Sequence, residues 1–296
     1  MKRFKPSRHC PPGFPADLLI EGRQMLASLP FPVELSWNDN EVFGHFDGWW
    51  LTTEFHPVAD AGAPDTPPRV AARLKVHGQF GQTLSANWLF AMNFNEHKAI
   101  SLLKLIRVLH LINHLGRNGP DGGLRIDVDP RLCRSLSTHL IDFTAELLGR
   151  LDLAPPLVQF LLYSDDETRD VEPELVARYR AGGHQVGLGQ FGNHPDDLLR
   201  VWRLEPDFIT LSPRHLHRAT TYPHWRKPLL QLLPALVEQG YALGVEEISC
   251  GKVLELAQSM QARYLSGPWI TRLLQETPPA PTASARQPAI LTQAQA

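Results

Sequence analysis

Cysteine is scarce. Cys10, Cys133 and Cys250 are the only three in 296 residues, an odd and scattered set that excludes a disulfide framework and a thiolate metal site. They are expected to be reduced thiols of a cytoplasmic protein. Charge of one sign is not in excess either. Twenty-nine Lys+Arg stand against 31 Asp+Glu, a net of −2, so no global attraction to nucleic acid or to a membrane surface follows. A long uncharged apolar run is also missing. The most apolar stretch, AISLLKLIRVLHLINHL (99–115), carries Lys104, Arg107, His110 and His114 at helical intervals, the pattern of an amphipathic helix and not of a membrane span. The start, MKRFKPSRHCPPGFP, is basic but has no apolar core, which excludes a secretory signal.

What is present is an alternation. Hydrophobic residues make up 43% of the chain, an ordinary share for a globular core. Eight short apolar runs, at 51–58, 69–76, 124–128, 157–163, 185–189, 208–211, 242–246 and 262–265, read as strands. The later ones are continuously apolar, as in parallel strands covered on both faces. Helical stretches separate them. Asp129-Pro130 opens one that runs to about Leu148 before Gly149, and His194-Pro195 opens a shorter one to about Arg203. Gly116, Gly182 and Gly240 stand where other helices should stop.

This pattern predicts an α/β fold, a modified (β/α)8 TIM-type barrel. The connection ADAGAPDTPP (59–68) is too short and too rich in proline for a crossover helix, so an antiparallel first strand is expected. The barrel should occupy 51–272. Before it, 1–50 form an extension with one helix near 16–28 and the pair Trp49-Trp50. After it, 273–296 form a tail rich in Pro, Ala, Gln and Thr that is expected to be disordered.

The segment VGLGQFGNHPDDLLR (186–200) places Gly187, Gly189 and Gly192 at the spacing G-x-G-x-x-G. A dinucleotide fold needs its helix to begin inside that motif, so that the helix N-terminus faces the pyrophosphate. Here the helix signal comes later, at Pro195, and the acid about 20 positions on, Asp207, begins the next strand instead of ending it. The context rejects the nucleotide-fold reading.

In barrel order the same segment resembles that of the EAL-family cyclic-di-GMP phosphodiesterases, written G-x-x-x-A-L-D-D-F-G-T-G and followed by D-x-I-K-I-D. Phe191, Gly192 and Asp207 match; Gly189 and Gln190 stand at the two aspartates, Thr210 at the lysine and Ser212 at the last aspartate. FHPVAD (55–60) is similar to the opening Q-P-I-V-D, with His56 at the glutamine. RVAARLKV (69–76) resembles the strand of the E-A-L motif. If Arg73 and Lys75 point out of the barrel, Ala72 stands at the glutamate, Leu74 at the leucine and Val76 at the family arginine. LRIDVDP resembles the V-N-L-S strand with Asp127 at the asparagine, and VQFLLYS the L-E-x-T-E strand with Leu161 and Ser164 at its glutamates. GYALGVEEIS resembles A-E-G-V-E with Glu246 kept and Ser249 at the second glutamate, and Ser266 falls on the glutamine of the Q-G-Y segment.

The family cleaves a phosphodiester with two divalent metals held by a ring of carboxylates, since two cations about 3.5–4 Å apart need several anionic ligands. Of the positions matched to the family's ligand and catalytic residues, only Asp127 and Glu246 carry an acid here. The resemblance therefore implies a non-catalytic bacterial relative with no metal and no cofactor, acting on a regulatory protein partner in motility or biofilm control. Its alternatives are a metal-independent cyclic-di-GMP receptor and a phosphodiesterase with non-standard ligands, drawn from the acids of SDDETRDVEPE (164–174). That run reads more simply as a solvated loop, and Asp129 as a helix cap. His56, Leu74, Asp127, Phe191, Gly192 and Glu246 are the expected pocket remnants. Val76 and His56 in place of an arginine and a glutamine imply weak or absent cyclic-di-GMP binding. A partner site is expected on a loop at 213–228, where Arg214, Arg218, Tyr222, Trp225 and Arg226 cluster within an acid-free stretch.

Overall fold

The apolar runs form strands whose ends all lie within two residues of the expected ones. In the computed structural model, which describes residues 14–38, 41–64, 66–92, 95–128, 137–163 and 173–276, the elements follow in this order. First come α1 (Ala16–Leu26), β1 (Glu34–Asn38), β2 (Glu41–Phe46), β3 (Trp49–Asp60), β4 (Arg69–His77), β5 (Thr83–Leu84), α2 (Ala86–Ala91) and α3 (Glu96–Asn118). Next are β6 (Leu124–Val128), α4 (Ser137–Arg150), β7 (Val158–Leu162), α5 (Pro173–Ala181), β8 (Gln185–Phe191), α6 (Asp197–Leu204) and β9 (Phe208–Leu211). The chain continues with α7 (Pro213–Thr221), α8 (Pro223–Glu238), β10 (Ala242–Val245), α9 (Gly251–Ser259), β11 (Tyr264–Ser266) and α10 (Pro268–Glu276).

The strand order β3-β11-β10-β9-β8-β7-β6-β4, with β3 also paired to β4, closes an eight-stranded α/β barrel of the TIM type. From β6 to β11 the neighbours within the barrel are parallel, while β3 is antiparallel to β11 (Leu265 opposite Ala59). The short connection after β3 thus has the consequence expected of it. β1 and β2 form an antiparallel hairpin joined to β3, with Gly44 opposite Leu51. These two strands were not anticipated in the extension; the polar run Asn38-Asp39-Asn40 between two apolar segments was their turn signal.

Other corrections concern helix ends. Gly116 lies inside α3, which ends at Asn118; a Cβ there would meet the Phe14 ring at 2.2 Å, so the glycine serves a close approach. Gly149 lies inside α4, which runs to Arg150. α6 starts at Asp197, later than His194-Pro195, and α10 extends to Glu276, past the expected start of the tail. Cys10, Cys133, Asp129-Pro130, Ser164, the acids of 164–172 and the chain after 276 lie outside the described residues.

The chain divides into two compact units, and β3 and β4 contribute to both. One unit holds the hairpin, α1, α2, α3 and α4. Its α3 is long and apolar enough to cross a membrane by length and composition, and 67% of its most apolar window is buried inside the protein. Two of the polar groups on α3 are matched there. Thr53 Oγ1 lies 2.8 Å from His110 Nδ1, and Asn113 accepts from Val42 N (2.7 Å) and donates to Val42 O (3.0 Å). The other unit holds β6–β11 with the lower parts of β3 and β4, and it contains the residues matched above along β6–β11.

Candidate functional site

Side chains alternate along a strand, so one inward residue fixes the rest of its strand face. Val58, Ala71, Leu161, Phe208 and Tyr264 form one buried cluster, with Tyr163 and Ala242 against it. Each fully buried ring or branched chain of this kind contributes roughly 1.5–3 kcal/mol. By the same alternation and cross-strand pairing, His56, Asp127, Thr210, Glu246 and Ser266 lie on the same side. Beside this cluster lies a residue the sequence reading passed over. Arg125, two positions before Asp127 and on the same face of β6, is 1% exposed. Its guanidinium sits 4.7 Å from the Phe208 ring centre and 5.1 Å from that of Tyr264. Nε and Nη2 donate to Gln159 Oε1 at 3.3 and 3.2 Å, and Gln159 Nε2 donates to Gln185 Oε1 at 2.6 Å. Nη1 reaches Glu246 Oε1 at 4.0 Å. Burial pulls the Arg125 pKa down, while Glu246 and then Asp127 hold it up. A charged residue in a strand otherwise read as buried was the available signal.

The glycines of β8 now have a role. A Cβ on Gly187 would meet the Phe208 ring at 2.2 Å, and one on Gly189 would meet Tyr163 Cδ1 at 2.7 Å. Tyr163 therefore occupies the space that a side chain at position 189 would need, and its hydroxyl donates to Glu246 Oε2 at 3.4 Å. Gln190 follows at φ 58°, a left-handed conformation unusual for a non-glycine residue. Its Oε1 accepts from Asn193 Nδ2 at 2.9 Å. Phe191 is buried. Gly192 N and His194 N both donate to Asp197 Oδ2 (2.7 and 3.0 Å), while Asp197 Oδ1 accepts from Arg200 (2.9 Å). Asp207 accepts from Val186 N at 2.7 Å, a tie between strand starts. The glycine spacing thus serves a crowded strand and a loop, with α6 beginning five residues after Gly192.

On β4 the expected register is wrong. Ala71 belongs to the buried inward cluster, and a period of two then puts Arg73 and Lys75 on its face, with Ala72, Leu74 and Val76 on the other. Ala72 and Val76 are buried at 1% and 0%, whereas Arg73 is exposed. The misreading assumed that cations avoid the inside of a barrel. Near a strand end a long cationic side chain can keep its head in water. Leu74 is consequently not a pocket residue, and the absence of a cation inferred from Val76 does not hold.

The EAL-domain family model matches residues 42–272. The chain belongs to the EAL-domain family. A search of curated protein sequences finds no match. Solved structures share the fold. The EAL domain of FimX from Pseudomonas aeruginosa, bound to c-di-GMP, aligns with a TM-score of 0.64 at 16% identity, covering 86% of this chain and 95% of that one. The FimX EAL domain of Xanthomonas citri, in complex with c-di-GMP, gives 0.62 at 14% identity over 86% and 92%. The Bacillus subtilis YkuI protein, in complex with substrate c-di-GMP and calcium, gives 0.62 at 15% identity over 74% and 54%.

An EAL barrel implies a divalent metal centre, and the residues present do not fit one. Among the described residues the inward positions supply two carboxylates, Asp127 and Glu246, the hydroxyls of Thr210 and Ser266, and then Leu161 and Gly189, which have no side-chain oxygen. Ser249 is exposed. Among the described residues no three His, Cys, Asp or Glu side chains come together in a metal-binding group. The carboxylate of Glu246 already faces a guanidinium, a cation beside any second cation.

The expected partner loop at 213–228 is not a loop in this EAL domain. It forms α7 and the start of α8, because Pro213 and Pro223 each stand in a first helical turn, where a missing N–H costs little. Pro228 and Pro234 lie inside α8 without ending it. Arg218 stacks 4.8 Å from the Trp225 ring centre, and Trp225 also packs on His215 at 5.6 Å. Both are half-buried. Arg214, Tyr222 and Arg226 remain exposed.

Proposed function

We propose that this EAL-domain protein is a catalytically silent regulator in the cytoplasm, acting through a protein partner in cyclic-di-GMP-linked control. The observation that carries this reading is the occupancy of the reaction centre by the protein's own groups. Tyr163 fills the space beside Gly189, and Arg125 faces Glu246. Two carboxylates, one of them engaged, do not offset a pair of divalent ions and an activated hydroxide. The proposed partner surface is the exposed side of α7 and α8, with Arg214, Tyr222 and Arg226.

The test is hydrolysis of cyclic-di-GMP by the pure full chain with Mg²⁺ or Mn²⁺. We expect no linear dinucleotide; metal-dependent turnover that Glu246→Gln abolishes would refute the reading. A second reading, a metal-independent cyclic-di-GMP receptor, is favoured by Arg73 and Lys75 on the inward face of β4, since a dianionic ligand calls for placed cations. Calorimetry separates the two. A dissociation constant above about 10 μM, roughly −7 kcal/mol, supports a partner-only role, and submicromolar binding lost in Lys75→Ala supports the receptor.

A further inference from the structure

We infer that Arg125 is an internal counter-ion that takes over the structural task of divalent metal in this barrel. The inference rests on the silent-barrel reading and extends it from what is missing to what replaces it. Two inward acids persist, Asp127 on β6 and Glu246 after β10, within a close-packed interior. Left alone, two carboxylates in such surroundings repel one another and lose hydration. In a metal-loaded barrel the cations would offset both penalties. Here the guanidinium, anchored in β6 below Asp127, is placed to do so. It reaches Glu246 Oε1 at 4.0 Å, and Glu246 and Asp127 are the first two charges that sustain its ionisation.

The anchoring makes the replacement a fixed one. Gln159 accepts from two guanidinium nitrogens, and Gln159 in turn donates to Gln185 and, at 3.4 Å, to the Tyr264 hydroxyl. Phe208 and Tyr264 present ring faces to the same cation. A chain from β6 through β7 to β8, with rings from β9 and β11, thus holds one guanidinium facing Glu246, and a second, that of Arg69 on β4, lies within electrostatic range of it. Guanidinium suits this place, being planar, permanently charged and weakly hydrated. Its presence also disfavours a metal ion near Glu246, so the counter-ion and the lost metal centre exclude each other.

The experiment is thermal unfolding of the full chain with EDTA, Mg²⁺ or Mn²⁺ at millimolar concentration. The wild-type midpoint should be the same in all three. Arg125→Met should melt about 5–10 °C lower. Arg125→Met with Glu246→Gln should regain stability. A wild-type midpoint raised by Mn²⁺ would overturn the inference, as would a folded Arg125→Met protein that melts at the wild-type midpoint. If Arg125→Met yields no soluble protein, Arg125→Lys and Glu246→Gln decide. The first should stay metal-insensitive and the second should melt lower; Glu246→Gln at the wild-type midpoint overturns the counter-ion. Turnover assays keep the two proposals apart. Hydrolysis by the wild type removes the silent-barrel reading, whereas a metal-raised midpoint without hydrolysis removes only the counter-ion.

Discussion

The barrel interior and the outer side of α7 and α8 carry positive charge in opposite ways. Inside, Arg125 has an amide, two rings and an acid around it, with the Arg69 guanidinium within electrostatic range. Outside, from Phe208 to Val237, there is no acid at all, and Arg214 and Arg226 stand in solvent. A buried cation must be balanced where it sits, so its partners belong to the fold. An exposed cation is already balanced by water and remains available to a binding partner. The difference separates charge that maintains this barrel from charge that can give it a function.

The largest effect should come from unbalancing the interior. Glu246→Ala leaves Arg125 without its nearest acid and is expected to cost about 3–5 kcal/mol, the usual result of breaking a buried pair from one side. Urea unfolding measures it. A loss below about 1 kcal/mol would place Arg125 among the weakly balanced surface cations and dissolve the contrast.

A second buried base responds to pH. His110 is enclosed beside Thr53, and burial, with Arg107 as a lesser cause, lowers its pKa to about 3. The native state therefore keeps His110 neutral while the unfolded chain takes up a proton near its ordinary value of 6.5. The stability from this difference is fully present above about pH 6.5 and is lost as pH falls from there toward 3. Unfolding free energies at pH 7 and pH 4.5 should diverge, and His110→Gln should reduce that divergence. An unchanged slope in a folded variant would mean that other groups carry it.

A third effect lies at the crowded glycine. Gly189→Asp restores an acid at a family position, but its Cβ would press on Tyr163. It should destabilise by about 1–3 kcal/mol through overpacking and should give no hydrolysis. Combining it with Tyr163→Ala should recover most of the loss. Failure of that rescue would show that the loss does not arise from the contact with Tyr163.

Much of this was legible in the sequence, and the limits are instructive. Strands were readable because continuous apolar runs between helix signals leave few alternatives, and the antiparallel β3 followed from ten residues too short to cross over. The site positions along β6 to β11 were placed by the order of the family's segments, since continuously apolar strands leave no alternation to read. On β4 the alternation was set by an assumption about charge, and Ala71 corrects it by packing. Arg125 was missed because a family comparison directs attention to acids, and a cation that replaces a metal leaves no mark at an acid position. Gly189 read as a lost ligand; only the Tyr163 ring shows that the space itself is gone. The stretch 213–228 looked like a loop, with Pro228 and Pro234 expected to kink or delay the helix after it; instead Pro213 and Pro223 open helices, and Pro228 and Pro234 lie inside α8.

The smallest effect on stability, and the sharpest test of the contrast, belongs to the surface. Arg214→Glu with Arg226→Glu replaces two exposed cations that no fold contact requires, so unfolding should change by no more than about 0.5 kcal/mol. Arg218 is left intact in this test because its guanidinium lies over Trp225, and reversing it would confuse packing with recognition. If an acidic partner docks on α7 and α8, the double reversal should weaken its capture at least tenfold through like-charge contact, mostly as faster dissociation, with a salt dependence reduced from that of the wild type. The measurement is surface binding of the partner recovered from native extract, at two ionic strengths, beside a melting curve for each protein. A midpoint that falls with the reversal would make these cations part of the fold like Arg125. Undiminished capture at an unchanged midpoint would leave the outer side of α7 and α8 as plain solvated surface, and the partner would have to be sought elsewhere, first on the extension before Trp49.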